Sequence, residues 1–213
     1  MDVVERGHEA ATIDRARIAR RGRALQYGTI AWNSAECVVA VVAGAASGSI
    51  ALVGFGLDSA IEVTSSVAAL WRLRHDADHA ARERAERRAL RVIGACFLLL
   101  AAYVAGDALV TLGRREAPDV SIAGIVLAAL SLVVMPTLVH FKRRVARALA
   151  SDALAAESRQ TEICAYLSAI LLAGLAVNAG AGWWWADPVA ALAMAPLIAR
   201  EGVAALRGEA CCD

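Results

Sequence analysis

With 213 residues, 59% of them hydrophobic, and a mean hydropathy of +0.53, the chain is far more apolar than a domain that must solvate its whole surface. Its 22 Lys and Arg nearly cancel its 21 Asp and Glu, and these charges gather in a few short stretches, as they do in loops between membrane spans. A nucleic-acid binder needs a basic face on a soluble domain, and no such domain remains once the apolar segments are set aside.

Residues 1–26 carry Arg6, Arg15, Arg17, Arg20, Arg21 and Arg23 with no apolar core between them, which is unlike a cleavable signal peptide and reads as a cytoplasmic basic arm. Six apolar segments follow, at 28–47, 50–71, 90–113, 120–141, 153–179 and 184–206. Each is near the roughly 20 residues that a helical span needs. The chain is therefore expected to be all-α, a polytopic six-transmembrane-helix bundle over 27–206 with a short tail at 207–213.

Span one contains "WNSAEC", with Asn33 and Glu36 about two turns in; Glu36 is a candidate proton carrier or auxiliary ligand. Gly44 and Gly48 stand at small-xxx-small spacing, the pattern of a close helix interface. Span two holds "GFGLDSAIEVTSS", in which Asp58 and Glu62 are four residues apart. At the centre of a bilayer each carboxylate costs roughly 2.5 to 3.5 kcal/mol by insertion scales. Helical geometry stacks the two on one face, with Cβ atoms about 5 to 6 Å apart. Two like charges at that separation repel unless a cation lies between them or one is protonated. A protonated pair hydrogen-bonded to neighbouring helices is the structural alternative. Gly54 and Gly56, one turn above, suit a packed interior better than a lipid face.

After span two, "RLRHDADHAARERAERRALR" alternates charge signs at helical spacing from His75 to Arg91, as a solvated extension of span three would. His75 and His79 there read either as solvated histidines or as a metal pair. Asp107 near the outer end of span three reads as a residue reaching interfacial water. Span four carries Pro136 and leads into "FKRRVAR", a basic connection. Span five begins "SDALAAESRQTEICAYLSAI": Gln160 and Cys164 share a face at i, i+4 with Glu157 one turn earlier, while Thr161 and Glu162 are expected to flank it. A thiolate with two or more carboxylates suits a tetrahedral soft divalent ion, zinc above all; a structural buried cysteine is the alternative for Cys164. "GAGWWWADP" then places Trp183, Trp184 and Trp185 where an outer aromatic belt would be, and span six contains Pro196.

Lys and Arg concentrate in the arm, in the connection after span two and in the connection after span four, with Arg114 and Arg115 as the exceptions. Retention of basic residues on the cytoplasmic side then puts both termini inside. Of the five cysteines, Cys37, Cys96 and Cys164 fall in spans and Cys211 and Cys212 are adjacent in the tail, so the odd set argues against a disulfide framework.

The stretch "SGSIALVGFGLDSAIEVTSS" resembles the cation diffusion facilitator family, whose members export divalent metals in exchange for protons. The family's second span carries Asp-x-x-x-Asp, which Asp58 and Glu62 match with one conservative change. Its fifth span carries His-x-x-x-Asp; "AESRQTEIC" aligns Gln160 with the His and Cys164 with the Asp. The likeness continues through "WWWADPVAALAMAPLIAREG" and covers nearly the whole chain. It implies metal ligands Asp58, Glu62, Gln160 and Cys164, with Glu157 and Glu162 as the nearest substitutes for the missing His nitrogen. Neither the His-rich loop after span two nor a cytoplasmic C-terminal domain is found in the sequence, which resembles the shorter branch of the family and would leave dimerisation to the membrane helices.

The reading that results is a bacterial inner-membrane, homodimeric antiporter, not an enzyme, with no resident cofactor. It would carry a divalent ion, zinc first, with cadmium, cobalt, manganese or iron as alternatives, against protons. Two rivals are a non-transporting metal sensor or scaffold and an intramembrane aspartyl protease. "GFGLD" is similar to the protease Gly-x-Gly-Asp motif but has one residue too many, and the interior offers Glu36 and Glu62 where a second Asp is needed.

Overall fold

The computed structural model describes residues 2–74, 79–115 and 118–207. Six helices account for nearly all of them: α1 (Asp2–Ser47), α2 (Ile50–Arg74), α3 (His79–Arg114), α4 (Ile122–Leu149), α5 (Asp152–Ala181) and α6 (Ala186–Arg207). All six are long and apolar enough to cross a membrane. Val38, Val42, Leu99, Leu109, Ile122, Val133 and Tyr166 face outward, the surface expected of helices whose solvent is lipid. Pro136 and Pro196 lie inside α4 and α6, and both helices continue through them.

The basic arm is helical and runs on into span one. It is the first part of α1, and it is anchored: Ile18 and Ala19 pack on a small cluster of Ala69, Leu73, Ala146, Leu149 and Leu154 at one end of the bundle. The expected connection "FKRRVAR" is corrected in the same way, because α4 runs without a break to Leu149. Its buried stripe, Ser131, Met135, Val139, Lys142, Ala146 and Leu149, keeps the three-and-four spacing of one helix face, so Arg144 and Arg147 point outward while Lys142 points in. The charged stretch before span three is helical from His79, as the sign alternation implies. The readings made on His75, Cys211 and Cys212 fall outside the described residues, as does the side chain of His79.

Three close pairs build the bundle: α1 along α2, α4 along α5, and α3 along α6. Contacts of α1 with α4 and of α2 with α5 join the first two pairs into a four-helix unit, against which α3 and α6 lean through α2 and α5. Phe55, Leu52, Val104, Met135, Leu167, Leu171, Met194 and Ile198 fill the shared core. Small residues set the approach distances. A Cβ on Gly56 would lie 3.0 Å from the Val41 backbone nitrogen of α1, and one on Gly44 would lie 2.8 Å from the Val53 backbone nitrogen of α2. Gly44 thus serves the α1–α2 contact within the chain, and Gly48 is the left-handed residue that ends α1.

Where α2 begins, its N-terminus is capped from another helix. Ser49 accepts from the Leu52 amide at 3.1 Å and donates to Asp187 Oδ1 at 2.5 Å, while Asp187 Oδ2 accepts from the amides of Ile50 at 3.0 Å and Ala51 at 3.4 Å. A buried carboxylate at a helix N-terminus satisfies amides that have no partner inside the helix. Trp183 and Trp185 stack at 5.0 Å between their ring centroids in the adjoining α5–α6 turn, both half-exposed.

Candidate metal centre

The four-helix unit has a polar interior. Glu36 of α1, Asp58 and Glu62 of α2, Lys142 of α4 and Glu157 of α5 are all buried, with hydroxyls of Ser59, Ser66, Ser131 and Thr161 among them. Buried charge is tolerated only when paired or hydrogen-bonded, and Glu36, Glu62, Lys142 and Glu157 are each engaged, though unequally.

Asp58 and Glu62 occupy one face of α2, as their spacing requires, and both are buried, as is Cys164 of α5. Of the four expected ligands, Asp58, Glu62 and Cys164 are thus turned into the bundle interior. Glu62 is bound at one oxygen only: its Oε1 accepts from Thr161 Oγ1 at 2.6 Å and stands 3.5 Å from Lys142 Nζ, whereas Oε2 is buried with no hydrogen-bond partner. A carboxylate oxygen hidden from solvent and left unpaired costs the full desolvation of that atom, so it is a position where a cation is favoured.

The fourth expected ligand, Gln160, is half-buried at the edge of this face, and its Nε2 is buried without a partner. The register of α5 explains why. Its inward stripe is Glu157, Thr161, Cys164 and Ser168, spaced four, three and four, so Thr161 is central and not flanking as the sequence suggested. The Thr161 hydroxyl accepts from Lys142 at 2.7 Å and gives its proton to Glu62. Glu157 belongs to a separate knot: it accepts from Gln26 at 3.1 Å on Oε2 and from Ser66 at 3.2 Å on Oε1, and it forms a short ion pair with Lys142. Glu162 points to the half-exposed side of α5 and pairs with Arg143 at 2.5 Å. Glu36 accepts from Ser59 at 2.8 Å and from Ser131.

Lys142 is the residue that sequence reasoning missed. A buried ammonium is costly unless it is paired, and this one, about two turns before the end of α4, is 2% exposed among Glu62, Glu157 and Thr161. The signal was its place three residues after Val139 and seven after Met135, on the same stripe; the run of arginines beside it masked that periodicity. Among the described residues no three His, Cys, Asp or Glu side chains form a ready-made metal cage. Glu62, turned toward Thr161 and Lys142, would have to swing to join Asp58 and Cys164 around one ion.

An all-α membrane bundle with ionisable side chains buried at mid-span is the architecture of a protein that moves a polar species across the bilayer. Residues 29–209 match the cation efflux transmembrane domain, and the chain belongs to that family, the cation diffusion facilitators. It is accordingly an integral membrane transporter for divalent metal cation efflux and not an enzyme, which removes the protease rival. No curated protein matches the chain in sequence.

Proposed function

We propose that the transported ion is zinc, bound by Asp58, Glu62 and Cys164 with Gln160 at the margin, and that it leaves the cytoplasm in exchange for protons. The observation that carries this reading is the buried, unpartnered Oε2 of Glu62, on the helix face that also carries the buried Asp58. Carboxylate and thiol ligands must lose protons to hold a metal, so binding releases protons and reprotonation expels the ion. A thiolate among carboxylates favours zinc or cadmium over manganese. Six spans put the two ends of the bundle on one membrane side, and the basic arm and the arginines of α4 favour the cytoplasm for that side, in a bacterial inner membrane. Rocking of helix pairs about a fixed mid-membrane site would give alternating access. A homodimer held by membrane helices completes the proposal, with its contact elsewhere than Gly44, which faces α2.

Flux of zinc, cadmium and manganese into proteoliposomes, with and without an imposed pH gradient, tests it. Metal uptake should follow the proton gradient. The substitution Cys164→Ser should weaken zinc and cadmium about tenfold, because the soft sulfur donor is lost, and leave manganese nearly unchanged. Uptake indifferent to the gradient would remove the antiport, and equal effects on all three metals would remove the thiol from the site.

A further inference from the structure

The ammonium of Lys142 is not shared evenly between its two carboxylates. Glu157 is its close partner, and Glu157 is also held by Gln26 and Ser66, so both of its oxygens are engaged. Glu62 is the looser partner, 3.5 Å from Nζ, tied through Oε1 to Thr161 and free at Oε2. Thr161 bridges the two sides, accepting from Lys142 and donating to Glu62. A divalent ion that reaches Glu62 Oε2, Asp58 and Cys164 thus meets a carboxylate whose other oxygen already faces a positive charge.

We propose that Lys142 is a tethered cation that competes with the transported metal for Glu62, with Glu157 as its anchor and not as a metal ligand. This rests on the assignment of Asp58, Glu62 and Cys164 as the metal site. Two cations on one carboxylate weaken each other's hold, and the repulsion is strong where water is excluded. Lys142 therefore lowers the affinity of a ligand set that would otherwise retain a soft divalent ion, and it speeds release. When the metal takes Glu62, the ammonium stays with Glu157 and Thr161, so no buried charge is abandoned. When the metal leaves, Lys142 recovers Glu62 and covers the carboxylate that lost its ion. Its position is a positioning and affinity-setting one: it touches a ligand and never the metal.

The rival role is structural, Lys142 serving only to neutralise Glu157. The variant that separates the two carries Lys142→Met together with Glu157→Gln, which removes one charge of each sign and leaves neither stranded. Cadmium and zinc binding to the full chain in detergent is measured by calorimetry, and metal release from proteoliposomes is followed separately. Competition predicts binding at least roughly tenfold tighter than in the unaltered chain, with slower release, because the lost ammonium faces Glu62 directly while the lost carboxylate is screened by Gln26 and Ser66. Lys142→Arg, which keeps the charge, should bind with affinity near that of the unaltered chain. Unchanged affinity in the double variant overturns the inference in favour of plain neutralisation. Asp58→Ala keeps the two readings distinguishable: if it leaves cadmium binding intact the metal site itself is misplaced, whereas if it abolishes binding while the double variant behaves as the unaltered chain, only the role of Lys142 fails.

Discussion

Between α1, α2, α4 and α5 the buried contacts run through Glu36, Asp58, Glu62, Lys142, Glu157 and Thr161, whereas between α3 and α6 they run through Gly94, Gly202 and apolar side chains. A Cβ on Gly94 would lie 2.8 Å from the Gly202 carbonyl oxygen, and one on Gly202 would lie 3.0 Å from the Gly94 oxygen, so the two backbones touch. Of the described residues of α3 and α6, only Thr111 and Asp187 are buried and polar. Lipid removes the hydrophobic drive between helices, leaving close packing and polar contacts to hold a bundle. The α3–α6 pair uses the first and has one good arrangement. The four-helix unit uses the second, and its ion pairs and hydrogen bonds have alternative partners within reach. Under the proposed function, transport draws on the exchangeable kind, and the pair beside it is expected to move less.

Separate effects on flux and on stability follow from this difference. The largest is expected at the site: Asp58→Ala and Glu62→Ala should each lower metal flux by at least about 100-fold. Thermal unfolding in detergent without metal should stay level or shift upward for Asp58→Ala, since one of two neighbouring carboxylates is gone. Full flux in both variants would show that the polar interior is structural after all. The converse is expected at Gly202→Leu, where the new side chain must enter the backbone of α3. It should destabilise the bundle by about 1 to 3 kcal/mol, while flux per folded molecule falls far less. A Gly202→Leu protein as stable as the unaltered one would mean that α3 and α6 do not rely on that approach.

Which parts of this contrast are legible in the sequence depends on the range of the contacts. Spans follow from hydropathy alone, and their expected limits agree with α2 and α6 to within a few residues, because a helix in lipid must satisfy its own backbone. Asp58 and Glu62 are equally plain, since a four-residue spacing fixes a shared face without knowledge of any neighbour. Lys142 is not, because Arg143, Arg144 and Arg147 give its surroundings the composition of a loop, and only the continuing stripe to Leu149 reveals a buried face. The register of α5 is ambiguous for a related reason: Gln160 and Thr161 are adjacent, and which of them turns inward is decided by packing against α2 and α4. Asp187 is the extreme case, its partners lying 137 and 136 residues away at the start of α2.

That cap ties the two regions together, since α6 supplies the carboxylate and α2 carries Asp58 and Glu62 of the proposed site. Asp187→Asn keeps the shape but loses the charge that favours a helix N-terminus and weakens the bonds to Ser49, Ile50 and Ala51. A loss of about 1 to 2 kcal/mol is expected in thermal or denaturant unfolding. Because Asp58 follows on the same helix, metal affinity should fall modestly as well; an affinity drop without any stability change would instead make Asp187 part of the transport path.

The smallest expected effect lies at the turn between α4 and α5, the two helices that carry Lys142 and Glu157. Ala150 ends α4 in the left-handed conformation, with φ +49°, and its amide donates to Arg147 at 3.2 Å while the Ser151 amide donates to Ala146 at 3.0 Å. Ser151 then caps α5 through its hydroxyl, which accepts from Leu154 at 3.2 Å. A Cβ in the left-handed region costs roughly 1 to 2 kcal/mol, and glycine removes that cost while giving back part of it through a freer unfolded chain. Ala150→Gly should therefore stabilise the protein by about 0.5 to 1 kcal/mol, seen as a small rise in Tm, with flux unchanged because no polar contact of the site is altered. A rise in Tm accompanied by slower flux would place a hinge at this turn, and the four-helix unit would then move by parting α4 from α5 at the cost of the Lys142–Glu157 pair.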